Sequence, residues 1–229
     1  MHRATLLLGC VVVALLTAQP AVASPLFAST FTMAYGDGAP GVSTGFDTHM
    51  TWTDPGEKAS KPKEVSHIVF RFAAGARFDT NALPRCRASL AQVRDRGAAA
   101  CPRGSRIATG STLVNTGTSP IFPTKVTFFN TATGLIVFVQ SGTLTITVFR
   151  DTVQGSTITA HLKIPAGFAL TDLHVVFPAH TARRAGRRRA YFTTPRTCPA
   201  GGTWPSSATF TYADGSSETL AATTPCVAR

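Results

Sequence analysis

The stretch that most constrains this chain lies near its C-terminal end. It reads Ala208-Thr209-Phe210-Thr211-Tyr212, then Ala213-Asp214-Gly215, then Ser216-Ser217-Glu218-Thr219-Leu220, and it stands between Cys198 and Cys226. Branched and aromatic side chains suit a pleated, half-buried surface. Asp-Gly between two such runs is a turn signal, because Gly accepts positive φ without a Cβ clash. A two-residue turn on Asp214-Gly215 would pair Phe210 with Thr219 and send Leu220 to the opposite face. A three-residue loop with Gly215 in the left-handed region pairs Phe210 with Glu218. Only the second register gathers Ala208, Phe210, Tyr212 and Leu220 on one face, since a slip of one residue flips every side chain. It leaves Glu218 at the edge of an apolar face.

Residues 1–23 read as a secretory signal peptide: Arg3, an apolar run from Leu6 to Leu16, and the small-x-small site Ala21-Val22-Ala23. The run continues well past Cys10, which argues against a lipoprotein cut there. No later stretch is apolar and long enough to span a bilayer as a helix. The expected product, residues 24–229, is one exported domain. It keeps four cysteines, and an even count in an exported chain reads as disulfides. Three pairings are possible. Local closure selects Cys86–Cys101 and Cys198–Cys226, each bracketing its own segment.

The rest of the chain is a succession of short strand patterns separated by Gly and Pro turns. They fall at residues 26–33, 49–53, 65–72, 107–114, 125–130, 135–139, 144–149, 157–164, 170–177 and 191–193, before the terminal hairpin. Leu135 to Val139 is continuously apolar, as in a strand buried on both faces. Residues 81–110 form one irregular insertion, with a short helix expected over 88–96 and stopped by Gly97. Roughly ten strands and little helical periodicity predict an all-β domain, a β-sandwich or jelly roll with a helix-containing insertion near 84–97.

Leu83-Pro84-Arg85-Cys86 with Cys101-Pro102-Arg103-Gly104-Ser105-Arg106-Ile107, and Thr193-Thr194-Pro195-Arg196-Thr197-Cys198-Pro199 with Phe210-Thr211-Tyr212-Ala213-Asp214-Gly215-Ser216 and Pro225-Cys226, form two halves of a pattern. The pattern resembles exported, uncharacterised β-rich proteins of actinobacteria. The resemblance implies an extracellular β-rich domain with two local disulfides. It implies no catalytic residue, substrate or cofactor.

No catalytic arrangement emerges from the residues themselves. There is no G-x-S-x-G elbow, and Gly104-Ser105 lacks its strand-to-helix setting. His49, His67, His161, His174 and His180 show no metal-ligand spacing. The acidic residues are scattered and give no facing carboxylate pair. The reading is therefore non-catalytic, with no cofactor and no metal. A secreted hydrolase with a dispersed site, and a purely structural surface protein, are the alternatives. Trp52 and Trp204 suit core packing better than sugar stacking.

Charge is the sharpest feature. The chain carries 22 basic and 11 acidic residues, a formal net charge of +11. Arg183, Arg184, Arg187, Arg188 and Arg189 crowd an expected loop between strands, and Arg85, Arg87, Arg103 and Arg106 belong to the insertion. Guanidinium forks match phosphate and carboxylate. An anionic cell-envelope or extracellular polymer is the expected partner. Aromatics are not interleaved with these arginines and no DNA-binding motif is present, so no specific nucleic acid is expected.

Overall fold

A computed structural model describes residues 27–118 and 121–227. The expected signal peptide and its cleavage site lie outside the described residues. Fifteen strands follow one another: β1 (Ala28–Tyr35), β2 (Phe46–Thr53), β3 (Val65–Arg71), β4 (Arg77–Phe78), β5 (Arg106–Asn115), β6 (Phe122–Asn130), β7 (Gly134–Ser141), β8 (Leu144–Gln154), β9 (Thr157–His161), β10 (Ala169–Phe177), β11 (Thr181–Arg184), β12 (Arg187–Ala190), β13 (Phe192–Thr193), β14 (Thr203–Tyr212) and β15 (Ser217–Pro225). Among the described residues one α-helix, α1 (Leu90–Arg96), interrupts them.

Eleven strands make one antiparallel sheet in the order β1-β2-β10-β5-β6-β7-β8-β9-β3-β14-β15. The sheet coils until its two edges meet. Ser29 on β1 donates to Glu218 on β15, and Thr224 on β15 donates to the carbonyl of Met33 on β1 at 3.2 Å. Among the described residues no backbone ladder joins those two strands. The all-β class and the short helix are as the sequence implies. The two facing layers expected of a sandwich are opposite walls of one nearly closed barrel.

The terminal hairpin takes the register that gathers the apolar residues. Phe210 pairs with Glu218 and Ala208 with Leu220, and Gly215 sits at φ +83°. Glu218 is accommodated by the hydroxyls of Tyr212 and Ser29, which both donate to it. The disulfides are Cys86–Cys101 and Cys198–Cys226, with Cα separations of 4.9 and 5.6 Å.

The antiparallel registers give the barrel two unlike ends. The connections after β1, β3, β6, β8, β10 and β15 lie at one end, which we call the base. Aromatic rings fill it. Phe46 stacks on Phe177 at 4.3 Å and meets Phe72 at 4.8 Å, while Phe78 meets Phe192 at 4.7 Å. The other end, the mouth, carries residues 54–64, 142–143, 162–168 and 213–216.

β7 is buried on both faces, as its unbroken apolar run implies. Leu135, Val137 and Val139 point into the barrel, whereas Ile136 and Phe138 join Phe129 and Val148 under the insertion. There α1 presents Val93, which is fully buried. Ser89 caps the helix: its hydroxyl accepts from the backbone amide of Gln92, and its own backbone amide donates to the Gln92 side-chain oxygen. Asn130 ties the insertion down by donating to the carbonyls of Thr80 and Pro84 at 3.0 and 3.1 Å. These contacts fix the backbone that carries Arg85 and Arg87.

Candidate arginine cleft

Residues 181–190, expected as a loop, form a two-stranded ribbon instead. Thr181 pairs with Ala190, Ala182 with Arg189, Arg183 with Arg188 and Arg184 with Arg187. The turn residues Ala185 and Gly186 both have positive φ, +48° and +74°. That backbone hand matches the twist of the flanking strands in a two-residue hairpin. A free two-stranded hairpin is marginal in water, and this one is anchored at its foot. Ala182 packs on the core, the Tyr191 amide donates to the His180 carbonyl at 2.9 Å, and Arg189 meets Asp79 at 3.1 Å.

Strand alternation divides the arginines of the ribbon between its faces. Arg183 and Arg188 share one face; Arg184, Arg187 and Arg189 share the other with Ala182. Arg184 reaches a cleft of about 610 Å³ whose remaining walls come from the insertion: Asn81, Leu83, Arg85, Arg87, Ala88, Ala100 and Pro102. Among the described residues no acidic side chain lines it. Arg85 is oriented from below, donating through Nε to the Thr80 carbonyl at 3.2 Å and through Nη2 to Asn81.

The structure therefore brings Arg85, Arg87 and Arg184 together. Arg187 lies on the same ribbon face as Arg184, and Arg189 is engaged by Asp79. Arg103 and Arg106 are exposed but do not line the cleft, and Arg183 and Arg188 lie on the ribbon's other face. Among the described residues, only Arg85 and Arg189 of these nine have a side-chain hydrogen bond or ion pair. The rest are free to meet an external anion.

The histidines lie elsewhere. His49 and His174 face each other across β2 and β10, and each bonds an aspartate diagonally: His49 to Asp172 at 2.7 Å and His174 to Asp47 at 2.9 Å. Neither ring has a serine or threonine hydroxyl bonded to it among the described residues. His67 stacks on His161 at 4.2 Å, and burial together with the neighbouring ring lowers its pKa from the usual histidine range. These crossed pairs were not legible from spacing along the chain, because each depends on strand register. Trp52 and Trp204 are each 1% exposed and belong to the core, so neither offers a stacking face. No group of three or more metal-ligating side chains occurs among the described residues. No helix among them is long and apolar enough to cross a membrane. Compared with protein-family models, with curated proteins and with solved structures, the chain matches none of them.

Proposed function

We propose that this protein is exported, is cut after Ala23, and holds an anionic polymer of the cell envelope or extracellular space in the cleft between the arginine ribbon and the insertion. The observation that carries the reading is the meeting of Arg184 with Arg85 and Arg87 across a cleft without acidic residues. About a hundred positions of sequence separate the two sides. Each side has its own brace: Cys86–Cys101 and α1 for the insertion, the ribbon's foot for Arg184. Positive groups gathered without counter-charge suit phosphate or carboxylate groups repeated along a chain, which guanidinium forks grip in bidentate fashion. The role is binding rather than catalysis.

The test is sedimentation of residues 24–229 with isolated cell envelope across a salt series. Binding by counterion release falls linearly with salt on logarithmic axes, by about −0.7 per contact for a polymer with the charge density of a single-stranded nucleic acid. Changing Arg85, Arg87 and Arg184 to Ser lowers both the affinity and the slope while the melting temperature stays nearly constant. Binding that survives these changes with an unaltered slope removes the cleft from the mechanism.

A further inference from the structure

The interior of the barrel holds a second feature, independent of the arginine cleft. A cavity of about 90 Å³ lies among inward side chains, with Phe46, Phe72 and Phe177 at its floor. An engineered apolar cavity of about 150 Å³ takes up benzene; this one is smaller, so a slender molecule enters as the half-buried side chains at its rim give way. Towards the mouth it is bounded by Ile146, Leu162, Ile164 and Phe168, which are only half-buried. The same end of the barrel carries Ile121, Phe122 and Leu144 exposed to solvent. An apolar molecule approaching this end meets apolar surface before it reaches the interior.

One side chain breaks the apolar lining in a telling way. Asp151 on β8 is 5% exposed and points into the cavity. Its strand partners are Leu135 and Ala160, and its neighbours on the same face of β8 are Phe149 and Val153. Nothing in that surround can donate to it. Its Oδ1 has no hydrogen-bond partner among the described residues. A buried carboxyl with no partner costs the fold free energy that an apolar residue in its place would not. Of the other hydroxyls in the lining, those of Thr48 and Thr112 are spent on the carbonyls of Thr32 and Leu113, and that of Thr147 lies four residues from Asp151 along β8, towards the mouth. Asp151 is thus a buried polar group at the bottom of an apolar shaft. From Ile146 near the mouth it stands five residues along β8, about 17 Å at 3.4 Å per residue.

We propose that the barrel interior is a binding site for a short, slender apolar chain ending in one hydrogen-bond donor, and that Asp151 receives that donor. The tail lies between the aromatic floor and the rim formed by residues 162–168. A hydroxyl or an ammonium supplies the donor, and both meet the same carboxyl oxygen. The bound molecule replaces empty space with dispersion contacts and gives Asp151 the partner the fold withholds.

The experiment compares hexan-1-ol, hexylamine and hexane as probes for residues 24–229, read by calorimetric titration and by the carboxyl carbon resonance of Asp151. Saturable binding is expected, with hexan-1-ol or hexylamine favoured over hexane by tenfold or more and the Asp151 resonance moving on their addition. Which of the two is favoured identifies the head group. In Asp151→Val the preference over hexane falls to near unity while hexane still binds. Asp151→Asn is nearly isosteric and keeps an acceptor, so it retains preference for the alcohol; it provides the comparison should the valine variant fail to fold. Absence of saturable binding by every probe overturns the site. A preference unchanged in the valine variant, or an alcohol preference lost in the asparagine variant, overturns the role of Asp151.

Discussion

Arg183 stands directly opposite Arg188 in the ribbon, and Arg184 opposite Arg187. Like charges placed opposite each other on neighbouring strands destabilise the pair. The ribbon is therefore held against the preference of its own side chains. Arg188→Glu should slow hydrogen exchange of the ribbon amides, stabilising it by up to about 1 kcal/mol. The same change should weaken polyanion binding. Unchanged exchange would show that the paired charges cost nothing.

Asp151 should give the protein an unusual dependence on pH. Burial pushes its carboxyl up to about 8, against an ordinary value near 4. Between those values the folded chain carries a proton that the unfolded chain has lost. Stability from this group is therefore full below about pH 4 and lost as pH rises to 8, by about 1.4 kcal/mol per pH unit. The lowered pKa of His67 acts in the opposite sense, so its contribution grows as pH rises towards 6.5. Comparing denaturant unfolding of the parent with Asp151→Asn cancels the histidine. The difference in stability should change steadily between pH 5 and 7.5, and a constant difference refutes the assignment.

The turn at Gly215 offers a clean conformational test. Nothing lies within 4 Å of a Cβ placed there, but φ is +83°. Gly215→Val should lower stability by at least about 1 kcal/mol through backbone strain alone. Gly215→Asn should cost less, since Asn tolerates the left-handed region. Equal losses in the two variants would point to a cause other than φ.

Removing Cys86–Cys101 should act on the cleft as well as on stability. The bridged residues are 15 apart in sequence, and a loop of that length corresponds to about 3 kcal/mol in the chain-entropy account. A double Cys→Ala variant should lose protection around α1 in hydrogen exchange and lose polymer affinity with it. Removing Cys198–Cys226 should leave α1 protected.

How much of this was readable in advance varied with the kind of information needed. The terminal hairpin was legible because Asp214-Gly215 restricts the backbone and only one register brings Leu220 onto the face of Phe210 and Tyr212. The helix was legible as the run over 88–96 that Gly97 stops; its cap, Ser89 with Gln92, came from the structure. The ribbon was not: arginines hide the alternation, and Ala185 is a poor residue for positive φ. Alternation showed which face of each strand is buried but not which wall it meets, so one coiled sheet and two stacked ones looked alike. Asp151 left a faint signal, lying two residues from inward Phe149 and two from inward Val153. The gathering of Arg85, Arg87 and Arg184 left none, since it depends on how β10 and β11 return the chain to the base.

The line where β1 meets β15 has a mechanical consequence. Everywhere else around the wall, neighbouring strands are stitched by backbone hydrogen bonds. Here side chains such as Ser29, Glu218 and Thr224 form the join. Of all the joins around the wall this is the one whose loosening would break no interstrand ladder. At the base the seam is clasped, because the Val227 amide donates to the Gly38 carbonyl at 2.8 Å and Cys226 is tied to Cys198. The clasp makes the barrel a cuff fastened by backbone and disulfide at one end and by side chains alone at the other.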